Sequence, residues 1–212
     1  MFSLANLRNG AFAQLPAAHI DALLQRFENL PVRRGEIIIR EGGEGDYYYV
    51  VESGKFRVER TVGGVMVELA ELKSGDAFGE EALVSEARRN ATVAAAADGT
   101  LLRLAKRDFD QLLREPLLHR VGWDEACERV AAGAVWLDVR YPSEHHYDKL
   151  PGAINVPLAE VRNAFGSLDR TREYVVYCQS GRRSSAACFL FAQQGFRISM
   201  LAGGLWAVEG RG

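Results

Sequence analysis

One cysteine lies where the sequence could supply a nucleophile. Cys178 follows the strand-like run "YVVY" and precedes "QSGRR", a short loop that leads into the predicted helix "SSAACFLFAQQG". Loop N–H groups and a helix N-terminus stabilise an anion held between them, and nearby cations do the same. Because Gly181 allows the loop to curl and Arg182 and Arg183 add positive charge, we expect Cys178 to act as a thiolate on an anionic substrate.

The other cysteines and histidines do not suggest further chemistry. Cys127 and Cys188 lie within apolar-patterned helices, where we expect them to pack in the core. His145 and His146 lie upstream in the polar segment "YPSEHHYD", which we expect to be exposed. A cysteine–histidine protease is therefore disfavoured, because no histidine is placed beside the nucleophile. No Cys or His occurs at metal-ligand spacing, so we expect no metal.

Composition excludes several classes of protein. The net charge is −2 over 212 residues, which disfavours nucleic acid or an anionic membrane as the main partner. No apolar run approaches the ~20 residues of a membrane-spanning helix. The N-terminus lacks the features of a signal peptide, and three cysteines without framework spacing argue against a secreted disulfide protein. A cytoplasmic location is expected, since thiols stay reduced there.

The pattern of apolar residues changes once along the chain. The first part has a helical segment, "AAHIDALLQRFENL", then short strands from Pro31 separated by glycine-containing turns, and a helix "KRDFDQLLRE" that stops at Pro116. This spacing is typical of an antiparallel sandwich or barrel. The later part alternates strands with helices, including "PLAEVRNAFG", which predicts a mainly parallel sheet. We expect domains over 1–116 and 123–212, joined by a short linker, 117–122.

A second candidate site lies in the first domain, in "GDAFGEEALVSEARRNATVAA", residues 75–95. Gly79 permits close backbone approach, and a short helix from Glu80 would direct free N–H groups outward, as at phosphate sites. Arg88 and Arg89 can supply bidentate positive charge. Glu80 suits such a site only if it accepts from a hydroxyl group, which a ribose would provide.

This segment resembles the phosphate-binding cassette of cyclic nucleotide-binding domains, and residues 5–116 resemble their antiparallel β-roll of double-stranded β-helix type. The matching residues are Phe78-Gly79-Glu80, Ala82-Leu83 and Arg89-Asn90-Ala91-Thr92. The resemblance implies that Glu80 binds the ribose 2′-OH and that Arg89 binds the cyclic phosphate. The N–H groups of Gly79 and Ala82 would also meet the phosphate, with Phe78 and Asn90 completing the site.

Departures from this family leave alternatives open. Arg88 lies where many members have Pro, and Asn90 replaces a frequent Ser or Thr, so the ligand is cAMP or cGMP, or the cassette keeps the fold without a nucleotide. The segment "REPLLHRVGWDEA" leaves about one turn where family members carry a long helix. Base recognition then falls to the second domain, a partner chain or neither, and a helix-turn-helix for DNA is not expected.

Residues 120–210 resemble the rhodanese family of sulfurtransferases, a small α/β fold. The resemblance lies in "LDVRYPSEHHYDKLPGAINVPL", "VVYCQSGRRSS" and "LAGGLWAVEG", where Trp206 is displaced and Val208 takes its usual place. It implies that Cys178 takes sulfur from a donor such as thiosulfate as a persulfide and passes it to cyanide, a thiol or a sulfur-carrier protein. The N–H groups of Gln179, Ser180, Gly181, Arg182 and Arg183 would hold the persulfide. Arg182 and Arg183 would hold the donor.

The resemblance also bears on neighbouring residues and on competing functions. Asp138 and Arg140 are expected to support the loop. The six-residue loop from Cys178 to Arg183 has the sulfurtransferase length, whereas related phosphatases have one residue more, so we expect no phosphatase activity. The combined hypothesis is a sulfurtransferase regulated by cyclic nucleotide. Its competitor is a non-enzymatic nucleotide or redox sensor, and the physiological donor, acceptor and oligomeric state stay open.

Overall fold

The computed structural model describes residues 12, 15, 17–85 and 88–208. It divides into two compact units between Leu113 and Arg114. Residues 86 and 87 of the predicted phosphate loop, the first residues of the predicted β-roll and the last four residues lie outside the described part. Within the described part, no helix combines the length and apolar character needed to cross a membrane.

The first unit consists mainly of antiparallel strands. Its elements in chain order are α1 (Ala17–Arg26), β1 (Glu28–Val32), β2 (Ile37–Ile39), β3 (Tyr47–Ser53), β4 (Lys55–Val62), β5 (Val65–Lys73), β6 (Ala77–Phe78), α2 (Glu80–Ser85), β7 (Thr92–Ala95) and β8 (Gly99–Ala105). The strands form two sheets, in the orders β1-β8-β3-β6 and β2-β7-β4-β5. Every strand pair is antiparallel, which confirms the predicted sheet type.

The two sheets enclose an apolar core whose buried side chains come from both. Val51 and Leu101 belong to the first sheet, while Phe56 and Val93 belong to the second, and all four are buried. Burial of these side chains stabilises the unit at roughly 1.5–3 kcal/mol each, before the entropy cost of ordering the chain. The core therefore fixes the strands on which the cassette depends.

Two predicted helix boundaries in the first unit are wrong. Helix α1 ends at Arg26, and strand β1 (Glu28–Val32), which pairs with β8, begins within the predicted helical segment, whose last residues were Glu28–Leu30. After β8 the chain forms the helix α3 (Lys106–Asp108), a π-helical turn (Phe109–Arg114) and a 3₁₀ turn (Glu115–Leu117). The helical segment does not end at Pro116, because proline is tolerated in the first turn of a helix and lies there in the 3₁₀ turn.

The second unit contains one five-stranded sheet. Its elements are β9 (Arg120–Val121), α4 (Trp123–Ala131), β10 (Val135–Asp138), α5 (Pro142–Tyr147), β11 (Ile154–Asn155), α6 (Val161–Ala164), β12 (Glu173–Tyr177), α7 (Arg182–Gln193) and β13 (Arg197–Leu201). The strand order is β11-β10-β12-β13-β9, and all pairs are parallel, which confirms the predicted sheet.

Two segments differ in detail from the sequence predictions. The predicted helix over "PLAEVRNAFG" is a 3₁₀ turn (Leu158–Glu160) followed by the short α6. Within the segment predicted as a linker, Leu118 and Val121 are buried, and β9 pairs with β13 at the sheet edge.

The central strands place the candidate site. β10 and β12 are buried along most of their length, as strands covered on both faces of a parallel sheet must be. Asp138 and Tyr177 are register partners at the carboxyl ends of these strands. The residues that follow each strand, including Cys178 and Arg140, therefore meet at one edge of the sheet, where α/β folds place their ligands.

Candidate functional site

The sulfur of Cys178 is surrounded by donor groups. The residue is 0% exposed and lies between β12 and α7. The backbone N–H of Gly181 lies 3.2 Å from Sγ, and that of Ser184 lies 3.4 Å from it. The hydroxyl of Ser184 is 3.5 Å from the sulfur and 3.0 Å from the carbonyl oxygen of Gly181. Of the N–H groups assigned by the prediction, that of Gly181 lies against the sulfur, and so does that of Ser184, which the prediction did not assign.

This arrangement can stabilise negative charge on the sulfur. Two N–H groups point at it from the first turn of a twelve-residue helix, where the peptide dipoles favour an anion. The Ser184 hydroxyl can donate to Gly181 when the sulfur carries its proton, and can turn to donate to the sulfur when it does not. A negatively charged sulfur thus has three donors within reach.

The other side of the loop is held by the segment after β13. The N–H of Leu205 donates to the carbonyl of Cys178, and the N–H of Trp206 donates to the carbonyl of Gln179, each at 3.0 Å. The loop carbonyls are thus engaged away from the sulfur. Gly204 makes this contact possible, because a Cβ there would lie 2.3 Å from the Cys178 carbonyl oxygen. The sequence showed the glycine pair in "LAGGLWAVEG" but not its partner.

A buried ionic cluster lies beside the loop. Arg140 is 1% exposed, and it donates through Nε and Nη2 to Asp138, which is 0% exposed. Its Nη1 donates to Asp148 at 2.9 Å and to the side-chain oxygen of Gln179 at 3.3 Å. Burial would raise the pKa of Asp138, but the bonds from Arg140 and His145 outweigh it and hold the pKa below its usual value. The expected support of the loop is present in the Arg140–Gln179 contact.

Arg183 forms a bidentate ion pair with Glu144. Its Nη1 and Nη2 donate to the two carboxylate oxygens of Glu144 at 2.6 and 2.7 Å. Those bonds hold the pKa of Glu144 below its usual range. An anionic donor would have to share the Arg183 guanidinium with Glu144, which the sequence prediction did not consider. The neighbouring Arg182 is exposed, and Ser180 is half-buried.

The remaining cysteines pack as predicted or nearly so. Cys188 lies in the core of the second unit, and burial raises the pKa of its thiol. Cys127 is partly buried and packs against the cluster on the other face of the sheet. Among the described residues, no group of three or more His, Cys, Asp or Glu side chains is placed to hold a metal ion.

The predicted phosphate loop of the first unit surrounds a buried arginine. Arg89 is 5% exposed and donates to the carbonyl oxygens of Glu44, Gly79 and Tyr47 and to the carboxylate of Asp46. Four of the five N–H donors of its guanidinium are therefore engaged. Gly79 has a φ of +87°, and a Cβ there would lie 2.8 Å from Arg89 Nη1, so glycine is required for the approach.

The other predicted nucleotide residues fall into two groups. Glu80 and Ala82 lie on α2 and are buried. Burial raises the pKa of Tyr48, and the negative charge of Glu80 raises it further. Asn90 is exposed and donates to Glu81 at 2.8 Å. The ring of Phe78 is buried in the core and stacks on Tyr49 at 5.0 Å, so its side chain supports the cassette from within.

Two family models match the chain. Residues 30–115 match the cyclic nucleotide-binding domain, and residues 123–210 match the rhodanese-like domain. Thiosulfate sulfurtransferase PspE of Escherichia coli (strain K12) is 36% identical over 78 residues, which cover 36% of this chain and 75% of that protein. The chain therefore belongs to the rhodanese-like family through its second unit and carries a cyclic nucleotide-binding domain in its first.

Relatives of the first unit include regulatory subunits of cAMP-dependent protein kinase. The cAMP-dependent protein kinase regulatory subunit of Blastocladiella emersonii is 41% identical over 85 residues, covering 40% of this chain and 21% of that subunit. The chain thus spans about a fifth of that relative. The solved regulatory domain of Toxoplasma gondii PKA with cAMP is similar at 26% identity and a TM-score of 0.51, covering 60% of this chain and 46% of that one.

The Gly204 contact gives a testable prediction. We expect Gly204→Ala to destabilise the protein more than Gly152→Ala, whose φ is also positive but whose added Cβ would meet nothing within 4 Å. Backbone strain costs about 1–3 kcal/mol in either variant. Only Gly204→Ala also disrupts the two loop hydrogen bonds, each worth about 0.5–1.5 kcal/mol. Urea unfolding of both variants measures the difference, and equal losses would contradict this role of Gly204.

Proposed function

We propose that the protein is a sulfurtransferase that carries sulfur as a persulfide on Cys178. The observation that carries the proposal is the set of donors around Sγ: the N–H groups of Gly181 and Ser184 and the Ser184 hydroxyl. The rhodanese-like match and the likeness to a thiosulfate sulfurtransferase support the same class of reaction. A thiosulfate-type donor and a thiol or cyanide acceptor are the proposed substrates.

In the proposed reaction, sulfur passes from thiosulfate to Cys178 and then to the acceptor without a cofactor. The Cys178 thiolate attacks the outer sulfur of thiosulfate, a sulfur–sulfur bond forms, and the bond to the departing sulfite breaks with its electron pair. The acceptor then attacks the outer sulfur of the persulfide, and the thiolate of Cys178 is restored. Both end states leave negative charge on sulfur in the loop. The fixed N–H donors stabilise such charge without having to reorganise.

Cyclic nucleotide is the proposed ligand of the first unit. The donor set fits such a ligand: the Arg89 guanidinium lies against the backbone of Gly79, and the buried carboxylate of Glu80 begins the adjoining helix. In this proposal Arg89 and the N–H groups of Gly79 and Ala82 bind the phosphate, Glu80 binds the ribose, and Asn90 borders the site. The matched family and the likeness to a cAMP complex support this ligand, with cAMP and cGMP both to be tested.

Regulation of Cys178 by nucleotide is part of the proposal. Arg114, the first residue of the second unit, donates to the hydroxyl of Ser185 at 3.0 Å. Ser185 lies in the first turn of α7, next to Ser184, whose N–H faces the sulfur. A change at the beginning of this unit can thus reach the Cys178 loop through two adjacent residues.

A non-enzymatic sensor is the second candidate function. Burial of Cys178 and the pairing of Arg183 with Glu144 favour it, because both limit the approach of an anionic donor. A sensor of this kind would bind nucleotide and would acquire no sulfur from thiosulfate.

One prediction distinguishes the sulfurtransferase from the non-enzymatic sensor. Incubation with thiosulfate should add the mass of one sulfur atom to the wild-type protein and to Cys127→Ser, but not to Cys178→Ser. The reason is that donors lie around the sulfur of Cys178, whereas Cys127 packs against an apolar cluster. Intact-mass spectrometry detects the added sulfur. A wild-type protein that acquires none would refute the enzyme proposal.

A second prediction tests the nucleotide site. Arg89→Ala should weaken cAMP or cGMP binding more than tenfold, since a hydrogen bond to a charged group contributes about 1.5–3 kcal/mol. Arg57→Ala, at an exposed arginine of β4, should bind as the wild type does. Isothermal calorimetry measures both, and Arg89→Lys with circular dichroism distinguishes lost binding from lost folding. Equal affinity in folded Arg89 variants and the wild type would reject the cassette assignment.

A third prediction tests coupling between nucleotide and sulfur transfer. Saturating nucleotide should change kcat/KM for thiosulfate about fivefold or more, since allosteric coupling energies are typically 1–3 kcal/mol. Arg89→Ala should show no such response. Unchanged kinetics in a wild-type protein with demonstrated nucleotide binding would rule the coupling out.

A further inference from the structure

Helix α5 brings a carboxylate to the Cys178 loop. The sequence predicted an exposed segment here, and His146 is exposed, but the side chain of His145 is only 15% exposed and lies 3.0 Å from Asp138. Glu144, the residue before it, forms the ion pair with Arg183 at the beginning of α7. The expected exposure is therefore wrong for part of α5, and one of its acidic residues is fixed beside the nucleophile loop.

The carboxylate of Glu144 is held from two directions. Its Oε2 accepts from the backbone N–H of Tyr141 at 3.0 Å and from Nη1 of Arg183 at 2.6 Å, while its Oε1 accepts from Nη2 at 2.7 Å. The guanidinium carbon of Arg183 also lies 5.4 Å from the ring centroid of Tyr141. Bidentate, charge-assisted bonds of this kind fix both groups in place. Glu144 therefore occupies the two Nη groups that an anionic donor would use.

Arg183 is close enough to the nucleophile to act on its substrate. It precedes Ser184, whose N–H lies 3.4 Å from the sulfur of Cys178. Hydrogen bonds to Glu144 are the main cause that raises the pKa of Arg183, and the negative charge of Cys178 raises it further. A cation that interacts with the charge of the nucleophile also interacts with an anion that approaches it. Whether Glu144 compensates this cation therefore affects which donors bind.

The second arginine beside the loop is also compensated. Arg140 forms ion pairs with Asp138 and Asp148, each at 2.9 Å. A donor near Cys178 thus meets N–H dipoles and two guanidinium groups whose charges are already balanced by carboxylates. The thiolate repels a donor with two negative charges about twice as strongly as one with a single charge at the same distance. This balance of charges is less favourable for doubly charged donors.

We propose that Glu144 is a specificity-determining residue: by compensating Arg183, it makes the site favour sulfur donors with one negative charge over doubly charged donors such as thiosulfate. The inference rests on the proposed function and names a class of donor within it, the organic thiosulfonates. The Cys178 thiolate attacks the outer sulfur of the thiosulfonate and a sulfur–sulfur bond forms. The bond to the departing sulfinate breaks with its electron pair, so the persulfide forms without an oxidant or a reductant.

The kinetic test compares thiosulfate with methanethiosulfonate, in which a methyl group replaces one charged oxygen. Single-turnover persulfide formation in the full chain gives a second-order rate constant for each donor. The ratio of the thiosulfate constant to the methanethiosulfonate constant should rise at least about fivefold in Glu144→Gln, because Arg183 is then no longer compensated. A glutamine oxygen in the place of Oε2 still accepts from Tyr141 and from Nη1 of Arg183, so the variant keeps two of the three bonds.

Two further variants separate charge from packing. Glu125→Gln removes the carboxylate of another Glu–Arg pair, that of Glu125 with Arg129 on α4, and should leave the donor ratio at its wild-type value. Glu144→Asp keeps the negative charge and should stay within about twofold of that value. Circular dichroism checks that each variant is folded. A folded Glu144→Gln with an unchanged or lower ratio would overturn the inference.

A second readout does not need sulfur transfer. Sulfate has the charge of thiosulfate but no sulfur to transfer, and its binding can be followed by the amide signals of Gly181 and Ser184 in NMR titrations at constant ionic strength. Its Kd should be at least about threefold lower in Glu144→Gln than in the wild type or Glu125→Gln. If sulfate binds Glu144→Gln more tightly while no variant forms a persulfide, the selection of anions by Glu144 stands and the proposed function fails. If persulfide forms but neither the donor ratio nor the Kd changes, the proposed function stands and the role of Glu144 is refuted.

Discussion

The second unit depends on how the four residues between β12 and α7, Cys178 to Gly181, satisfy their backbone groups. The carbonyl groups of so short a loop need partners outside it. The N–H groups of Leu205 and Trp206 supply partners for Cys178 and Gln179. With those carbonyls held outward, the N–H groups of Gly181 and Ser184 can face the sulfur. The surroundings of the Cys178 sulfur therefore depend on a segment that follows it by more than twenty residues along the chain.

The role of the ionic cluster beside the loop is explained by the need to hold the loop backbone in place. Burying Arg140 and Asp138 costs desolvation, and such pairs often add no net stability over apolar packing. Here the arginine has further acceptors in Asp148 and Gln179, so its remaining donors are satisfied. One guanidinium thereby connects Asp138, at the end of β10, to Gln179, the residue after Cys178. Orientation of the loop is a better explanation of this pair than stability.

The elements that the sequence predicted correctly have local signals. The strand YVVY, the glycine at Gly181 and the helix after it are all visible within a few residues, and they define the loop. Strand β1 was missed because Phe27 continues the helical spacing, whereas its pairing with β8 is made by residues about seventy positions away. The Glu144–Arg183 pair, which joins residues 39 positions apart, was missed for the same reason. Contacts between distant segments leave no periodic pattern in either one.

In the first unit, Arg89 belongs to the nucleotide-binding motif and also has a structural role. Arg89 was predicted as a phosphate ligand, and the structure shows it holding together three backbone carbonyls and Asp46. A phosphate at Arg89 must use the one remaining N–H or replace a carbonyl such as that of Gly79. The guanidinium donor is charged in both bonds, but a phosphate oxygen carries negative charge and a carbonyl oxygen does not, so the exchange is favourable when the phosphate is otherwise well held. Gly79 belongs to the cassette and Tyr47 to β3, so a phosphate that replaces either carbonyl at Arg89 would alter the backbone contacts between the cassette and β3. The arginine would thus link occupancy to the conformation of the cassette.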